Sequence, residues 1–133
     1  MEMTFTFPGG ARVDGEADGF VIHTDQPPDA SAPSPFTLFL ASIGACAGVY
    51  VQSFCRKRGI PTSDIRIVQQ NHRNDDGHVA EVELTLELPP DFPPQYREAV
   101  VRAADRCTVK QHLSQPPRIT IAAAQPNGPL AAV

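Results

Sequence analysis

Three cysteines carry the chemistry this sequence can offer: Cys46, Cys55 and Cys107. Cys46 lies in Ser42-Ile43-Gly44-Ala45-Cys46-Ala47-Gly48, inside a nearly all-apolar stretch. Such a thiol is either small filler in a tight helix crossing, because free cysteine is among the most buried residue types, or a nucleophile that a substrate must approach closely. Gly44 and Gly48 each cost up to about 1 kcal/mol of helix propensity. That cost needs a return, either the close approach of neighbouring backbone or access for a substrate. If Cys46 reacts, it reacts as the thiolate. It is the twelfth residue counted from Pro35, about 17 Å along a helix at 1.5 Å per residue. Its own helix dipole fades within the first turn and cannot acidify it there, so a cation brought from elsewhere, an arginine foremost, is required.

Cys55 lies about 180° around the same helix from Cys46 and roughly 13 Å along it, beyond the reach of a disulfide, and reads as packing. Cys107 closes a second helical pattern, so geometry permits it to face Cys46. An odd number of cysteines fits a structural disulfide framework poorly. Cys107 and His112 lack a second pair of ligands at finger-like spacing, so no metal site is expected. His23, His72 and His78 sit in polar or strand-edge contexts and read as surface residues. Neither a Gly-x-Ser-x-Gly elbow nor a phosphate-binding loop is present.

The elements that must position these thiols are legible from turn signals and periodicity. Short strands are expected over 3–7 and 18–24, with turns at Pro8-Gly9-Gly10 and Asp14-Gly15, then a connecting loop over 25–33. Ser34 is a natural N-cap and Pro35 suits the first helical position. The helix then runs to Arg56-Lys57-Arg58, favourable at the dipole's C-terminal end, with Gly59 as left-handed cap and Pro61 blocking continuation. Its apolar residues, from Leu38 to Phe54, cover every side of the cylinder, so it should be buried all round. One short chain can hardly wrap so long a helix, and a second copy could. Thr37, Ser42, Gln52 and Ser53 interrupt the apolar run and argue against a membrane span.

Beyond the helix, Ile65, Ile67 and Val68 suggest a strand, Asn74-Asp75-Asp76-Gly77 a turn, and Val82, Leu84, Leu86 and Leu88 a half-exposed strand of an antiparallel pair. Pro93-Pro94 open a second helix with Tyr96, Val100, Ala103 and Cys107 on one stripe. Pro116-Pro117 end that region and Ile119-Thr120-Ile121 makes a last strand. The order indicates an α+β domain, helices packed on antiparallel sheet. With 133 residues and a formal net charge of −4, the chain suits one domain with a single core and offers no clustered basic face for nucleic acid. The N-terminus has neither the basic start nor the apolar core of a signal peptide, which points to a cytoplasmic protein whose thiols stay reduced.

The run from Pro35 to Cys46, Pro-Phe-Thr-Leu-Phe-Leu-Ala-Ser-Ile-Gly-Ala-Cys, resembles the proline-led, leucine-rich helix of the OsmC/Ohr family. Cys107-Thr108-Val109-Lys110 resembles that family's second cysteine signature, and Thr24-Asp25-Gln26-Pro27 and the order of elements match as well. The resemblance implies one OsmC-like domain over 1–133: antiparallel sheet packed on a long buried central helix, in an intertwined homodimer with active sites at the subunit interface. It also implies a thiol-dependent peroxidase that reduces organic hydroperoxides in oxidative-stress defence, needing no metal, flavin or haem cofactor. In that scheme Cys46 attacks the peroxide and becomes a sulfenic acid. Cys107 resolves it as a disulfide, and a dithiol or a lipoylated protein reduces the pair.

Arg12 is the arginine the N-terminal strands would offer, and Phe36, Phe39 and Tyr50 are the candidate substrate-binding side chains. The sequence departs from the family at one position. Peroxidase members carry a glutamate directly after the helix-leading proline, where it holds an arginine against the nucleophile. Phe36 stands there instead, followed by Thr37, and neither is a carboxylate. Two other readings therefore stand beside the enzyme: a non-catalytic dimer binding a small apolar molecule, and a dithiol redox sensor without peroxide turnover.

Overall fold

Seven strands and three α-helices follow one another in an α+β order in the structure, a computed structural model that describes residues 1–125 and 128–132. The single domain expected over 1–133 thus reaches beyond the described residues at 126, 127 and 133. Three small antiparallel sheets form: β1 (Met3–Gly9), β2 (Arg12–Ala17) and β3 (Phe20–Thr24) in the first, β4 (Arg66–Arg73) and β5 (Val79–Glu87) in the second, β6 (Ala122–Gln125) and β7 (Gly128–Ala132) in the third.

The N-terminal sheet corrects the sequence reading. Asp14-Gly15 was expected to turn, but both residues lie inside β2, and the hairpin turns one signal later, at Asp18-Gly19. Those two residues have φ of +49° and +81°, the paired left-handed conformation of a two-residue hairpin turn. Gly15 serves packing. A Cβ there would lie 2.7 Å from the Phe5 ring, which crosses the strand at that point. Register places Met3, Phe5, Phe20 and Ile22 on one face, and all four are exposed in this chain.

The loop to the long helix is tied to its own start. Asp25, 2 % exposed, accepts hydrogen bonds from the backbone N–H of Gln26 (2.8 Å), and from the N–H (2.9 Å) and hydroxyl (2.6 Å) of Ser31. Those bonds, the Ser31 hydroxyl first, hold its carboxyl below the ordinary aspartate range. α1 then spans Pro35–Arg56, with the Ser34 hydroxyl accepting from the Thr37 N–H at 3.1 Å. At the other end the Gly59 N–H donates to Arg56 (3.3 Å) and the Ile60 N–H to Cys55 (2.9 Å), with Gly59 at φ +65°. This is the Schellman arrangement that the Gly59-x-Pro61 signal implied. The basic run sits at that terminus, where the Arg58 guanidinium donates to the Phe54 carbonyl and lies 3.7 Å from the Phe54 ring centroid.

Although α1 is long and apolar enough to cross a membrane, it packs one stripe, Ile43, Ala47, Val51 and Cys55, into the interior of this chain. The expectation of a helix buried all round does not hold within one chain: Phe36, Phe39 and Val49 are exposed. The stripe meets Phe92, Val100 and Ala104, with Ile65, Ile67, Leu84 and Leu86 packed around them. β4 approaches α1 most closely at the glycines. A Cβ on Gly44 would sit 2.6 Å from Gln69 Oε1, and one on Gly48 would meet Ile67 at 3.7 Å. The Gln69 amide uses that space to donate to the Leu40 carbonyl at 2.9 Å. Gly44 therefore makes room for the Gln69 side chain, whereas a Cβ at Gly48 would meet only ordinary van der Waals contact.

The second helical region is two helices. α2 spans Arg97–Asp105 after a short 3₁₀ turn at Pro94–Tyr96, and α3 spans Thr108–Ser114. Cys107 does not close the α2 stripe. It lies between the helices as the N-cap of α3, and Val100 and Ala104 form the buried face of α2. The strand expected at Ile119-Thr120-Ile121 is irregular and exposed, and pairing starts only at Ala122. Pro116 and Pro117 supply no N–H donors just upstream.

Gly59→Ala would put a Cβ into the left-handed cap without any clash to relieve, so urea unfolding should report a loss of about 1 kcal/mol. An unchanged midpoint would contradict the cap assignment.

Candidate functional site

Cys46, Ile43 and Tyr50 share one stripe of α1 with Phe36 and Phe39, at spacings of three and four residues. The α2–α3 corner covers the middle of that stripe. The Cys107 thiol donates to the Ile43 carbonyl at 3.7 Å, and the Tyr50 hydroxyl pairs with the Thr108 hydroxyl at 2.8 Å. Between these two anchor points Cys46 and Cys107 lie near enough that each sulfur shifts the other's ionisation. Both are free thiols; Cys46 is half-buried and Cys107 is 2 % exposed.

What ionises Cys46 differs from the sequence expectation. Its pKa is lowered first by the hydrogen bond from the Val109 backbone N–H. Burial opposes this, and the Cys107 thiol, the Thr108 N–H and the Thr108 hydroxyl add to it. No guanidinium is among these causes. Positive potential at the sulfur comes instead from the unpaired N–H groups that every helix leaves in its first turn, here those of α3. Cys46 is far from the start of its own helix but lies against the start of another.

Cys107 moves the opposite way. Burial raises its pKa, the Lys110 N–H (3.4 Å from its sulfur) opposes that, and the facing Cys46 sulfur raises it further. The two thiols are thus unequal: Cys46 is the more acidic, and Cys107, whose thiol donates to the Ile43 carbonyl, is the less acidic. Cys55, fully buried, has its pKa raised by desolvation, belongs to the core and takes no part.

Of the residues singled out in the sequence, the structure brings Cys46, Cys107 and Tyr50 together. Phe36 and Phe39 stack further along the same stripe, centroids 5.6 Å apart, both exposed. At position 36 the Arg73 guanidinium lies over the ring, 5.7 Å from its centroid. Arg12 is engaged elsewhere, donating to Asp14 at 2.9 Å on β2, and Asp14 also contacts His23 across the strand pair. Thr108 and Val109 escaped the sequence reading. Their signal was the Cys-Thr-Val-Lys run itself, a cap residue followed by free N–H groups, legible only once α3 is known to begin there. Among the described residues no cluster of His, Cys, Asp and Glu could hold a metal ion.

Residues 28–122 match the family of OsmC-like proteins. The chain belongs to that family. Solved structures agree on the fold. An OsmC-like protein from Mycoplasma pneumoniae is 19 % identical with a TM-score of 0.67, over 86 % of this chain and 87 % of that one. An OsmC-like hydroperoxide resistance protein from Jannaschia is 20 % identical, TM-score 0.56, over 98 % and 95 %. The organic hydroperoxide resistance protein OhrB of Bacillus subtilis is 23 % identical, TM-score 0.50, over 84 % and 88 %. No curated protein sequence matches the chain.

The Thr108 hydroxyl helps to ionise Cys46, and Tyr50 holds that hydroxyl in place. Thr108→Val should therefore shift the pH profile of Cys46 alkylation by iodoacetamide upward, and Tyr50→Phe should shift it the same way by less. A profile that Thr108→Val leaves in place would contradict this source of acidity.

Proposed function

We propose that the chain is a thiol-dependent peroxidase that reduces organic hydroperoxides. One observation carries the reading: two free thiols near enough to shift each other's ionisation, Cys46 half-exposed with its pKa lowered, Cys107 buried with its pKa raised. The Cys46 thiolate attacks the distal peroxide oxygen. The O–O bond breaks, the alkoxide takes a proton and leaves as the alcohol, and the sulfur becomes a sulfenic acid. The Cys107 thiol, already beside it, displaces water and forms the disulfide, which a dithiol or lipoylated protein reduces. The exposed Phe36 and Phe39 on the same helix stripe give an organic peroxide an apolar surface to lie on.

Membership of the OsmC-like family supports the reading, as does the likeness in fold to proteins named for hydroperoxide resistance. The free cysteines suit a reducing cytoplasm. The working unit in this reading is a homodimer. The apolar face of the first sheet and the uncovered side of α1 both lack partners among the described residues, and in this reading a second copy supplies them. Arg12 would then serve the site from its strand only by leaving Asp14. The second reading, an apolar-ligand-binding dimer, draws on Phe36 itself, whose ring stacks on Phe39 and presents no carboxylate.

With dithiothreitol as reductant, wild type should consume cumene hydroperoxide and Cys46→Ser should fall to the uncatalysed rate; without reductant, Cys107→Ser should complete a single oxidation and stop at the sulfenic acid. Equal background rates for wild type and Cys46→Ser would reject the enzyme and favour the binding protein. Sedimentation should give twice the chain's 14.4 kDa.

A further inference from the structure

In the peroxidase reading the alkyl-bearing oxygen departs as an alkoxide and needs a proton. The charged side chains that the sequence offers for this are absent or engaged. Position 36 is a phenylalanine, Arg12 donates to Asp14, and the Lys110 ammonium is paired with Asp105. The Cys107 thiol donates to the Ile43 carbonyl and is the nucleophile of the following step. Two hydroxyls stand at the site instead. Tyr50 lies one turn beyond Cys46 on α1, and Thr108 opens α3 directly after Cys107. Their oxygens are 2.8 Å apart, so the contact joins the two elements that carry the sulfurs.

We propose that the Thr108 hydroxyl donates the proton to the departing alkoxide and that Tyr50 resupplies it. Thr108 is then a catalytic residue and Tyr50 the positioning residue behind it. The proposal rests on the peroxidase reading and names the acid that reading requires. The Cys46 thiolate bonds to the distal oxygen, which keeps its hydrogen, and the O–O electron pair leaves on the alkyl-bearing oxygen. That oxygen takes the Thr108 hydroxyl proton, Thr108 Oγ1 takes the phenol proton of Tyr50, and the phenolate recovers one from water. The sulfur loses two electrons and the O–O bond gains them, so the products are a sulfenic acid and an alcohol.

The relay has a direction. The Thr108 hydroxyl is among the groups that lower the Cys46 pKa, and a hydroxyl stabilises a thiolate by donating to it. Its oxygen is then left to accept from the Tyr50 hydroxyl. During attack the negative charge passes from the sulfur to the departing oxygen, and the donor follows the charge. A phenol is a far stronger acid than an aliphatic alcohol, so the transfer runs downhill. Thr108 is exposed and Tyr50 half-buried, which leaves the hydroxyl open to a peroxide and the phenol within reach of water.

Leaving groups of different basicity test the assignment. Ethyl hydroperoxide and peracetic acid are similar in size, but ethoxide needs a proton to leave and acetate does not. The rate of Cys46 oxidation by each is read at one neutral pH without reductant, and the first rate is divided by the second. A change in the thiolate fraction cancels in that ratio, as does any loss of folded protein. Thr108→Val should lower the ratio about hundredfold, the lower end of what a general acid contributes. Tyr50→Phe should lower it by less, and Thr108→Ser should restore the wild-type ratio. An unchanged ratio in Thr108→Val would overturn the proposal even with the peroxidase reading intact. Wild-type Cys46 oxidised by both reagents no faster than free cysteine would overturn the peroxidase reading itself, and this proposal with it.

Discussion

The sulfur of Cys46 rests against the first N–H groups of a helix other than its own, and the rest of the molecule is arranged to keep it there. A thiol in the middle of a long helix has no local source of positive potential. The chain supplies one by breaking its second helical region at Arg106 and Cys107 and restarting it as α3. Cys107 is at once the cap of the new helix and the neighbour of Cys46. One short break thereby makes two thiols unequal. The N–H groups of Thr108 and Val109 favour charge on Cys46, and burial together with that charge keeps the proton on Cys107.

The packing follows from the need to hold α1 still beneath that corner. Ala47, Val51 and Cys55 seat α1 against Phe92 and the α2 face of Val100 and Ala104. Gly44 leaves room for the Gln69 side chain of β4, which donates to the Leu40 carbonyl. Val100 and Ala104 also fix the end of α2, and so the place where α3 can begin. A shift of α2 along α1 would carry Thr108 away from both Tyr50 and Cys46. The core thus sets the acidity of the site through the position of one helix start.

Much of this was legible in the sequence, and the misses share a cause. Caps and alternation are local. Ser34-Pro35, Gly59-x-Pro61 and the Val82-to-Leu88 alternation each announce an element without reference to the rest of the fold, and each element is present. The failures came where a local signal competes with packing. Asp14-Gly15 and Asp18-Gly19 are equally good turn dipeptides, and the crossing of Phe5 over Gly15 decides between them. The stripe from Tyr96 to Cys107 satisfies helical spacing, yet the chain breaks before Cys107. The pairing of Cys46 with Cys107 followed from family resemblance more than from spacing. Within this chain backbone N–H groups lower the Cys46 pKa, and such groups leave no mark on residue type, so the sequence reading looked to a guanidinium. The view of α1 as buried all round relied on a second copy to cover what one chain could not, and within this chain Phe36, Phe39 and Val49 are exposed.

The central claim is that the start of α3 ionises Cys46 while Cys107 stays protonated. NMR titration of the cysteine Cβ carbons reports each sulfur separately and tests it most directly. The account predicts that Cys46 titrates below an ordinary cysteine and Cys107 above one, with the Cys107 resonance also sensing the first step through the charge on the neighbouring sulfur. Both sulfurs titrating together at the ordinary value, or Cys107 ionising first, would contradict it.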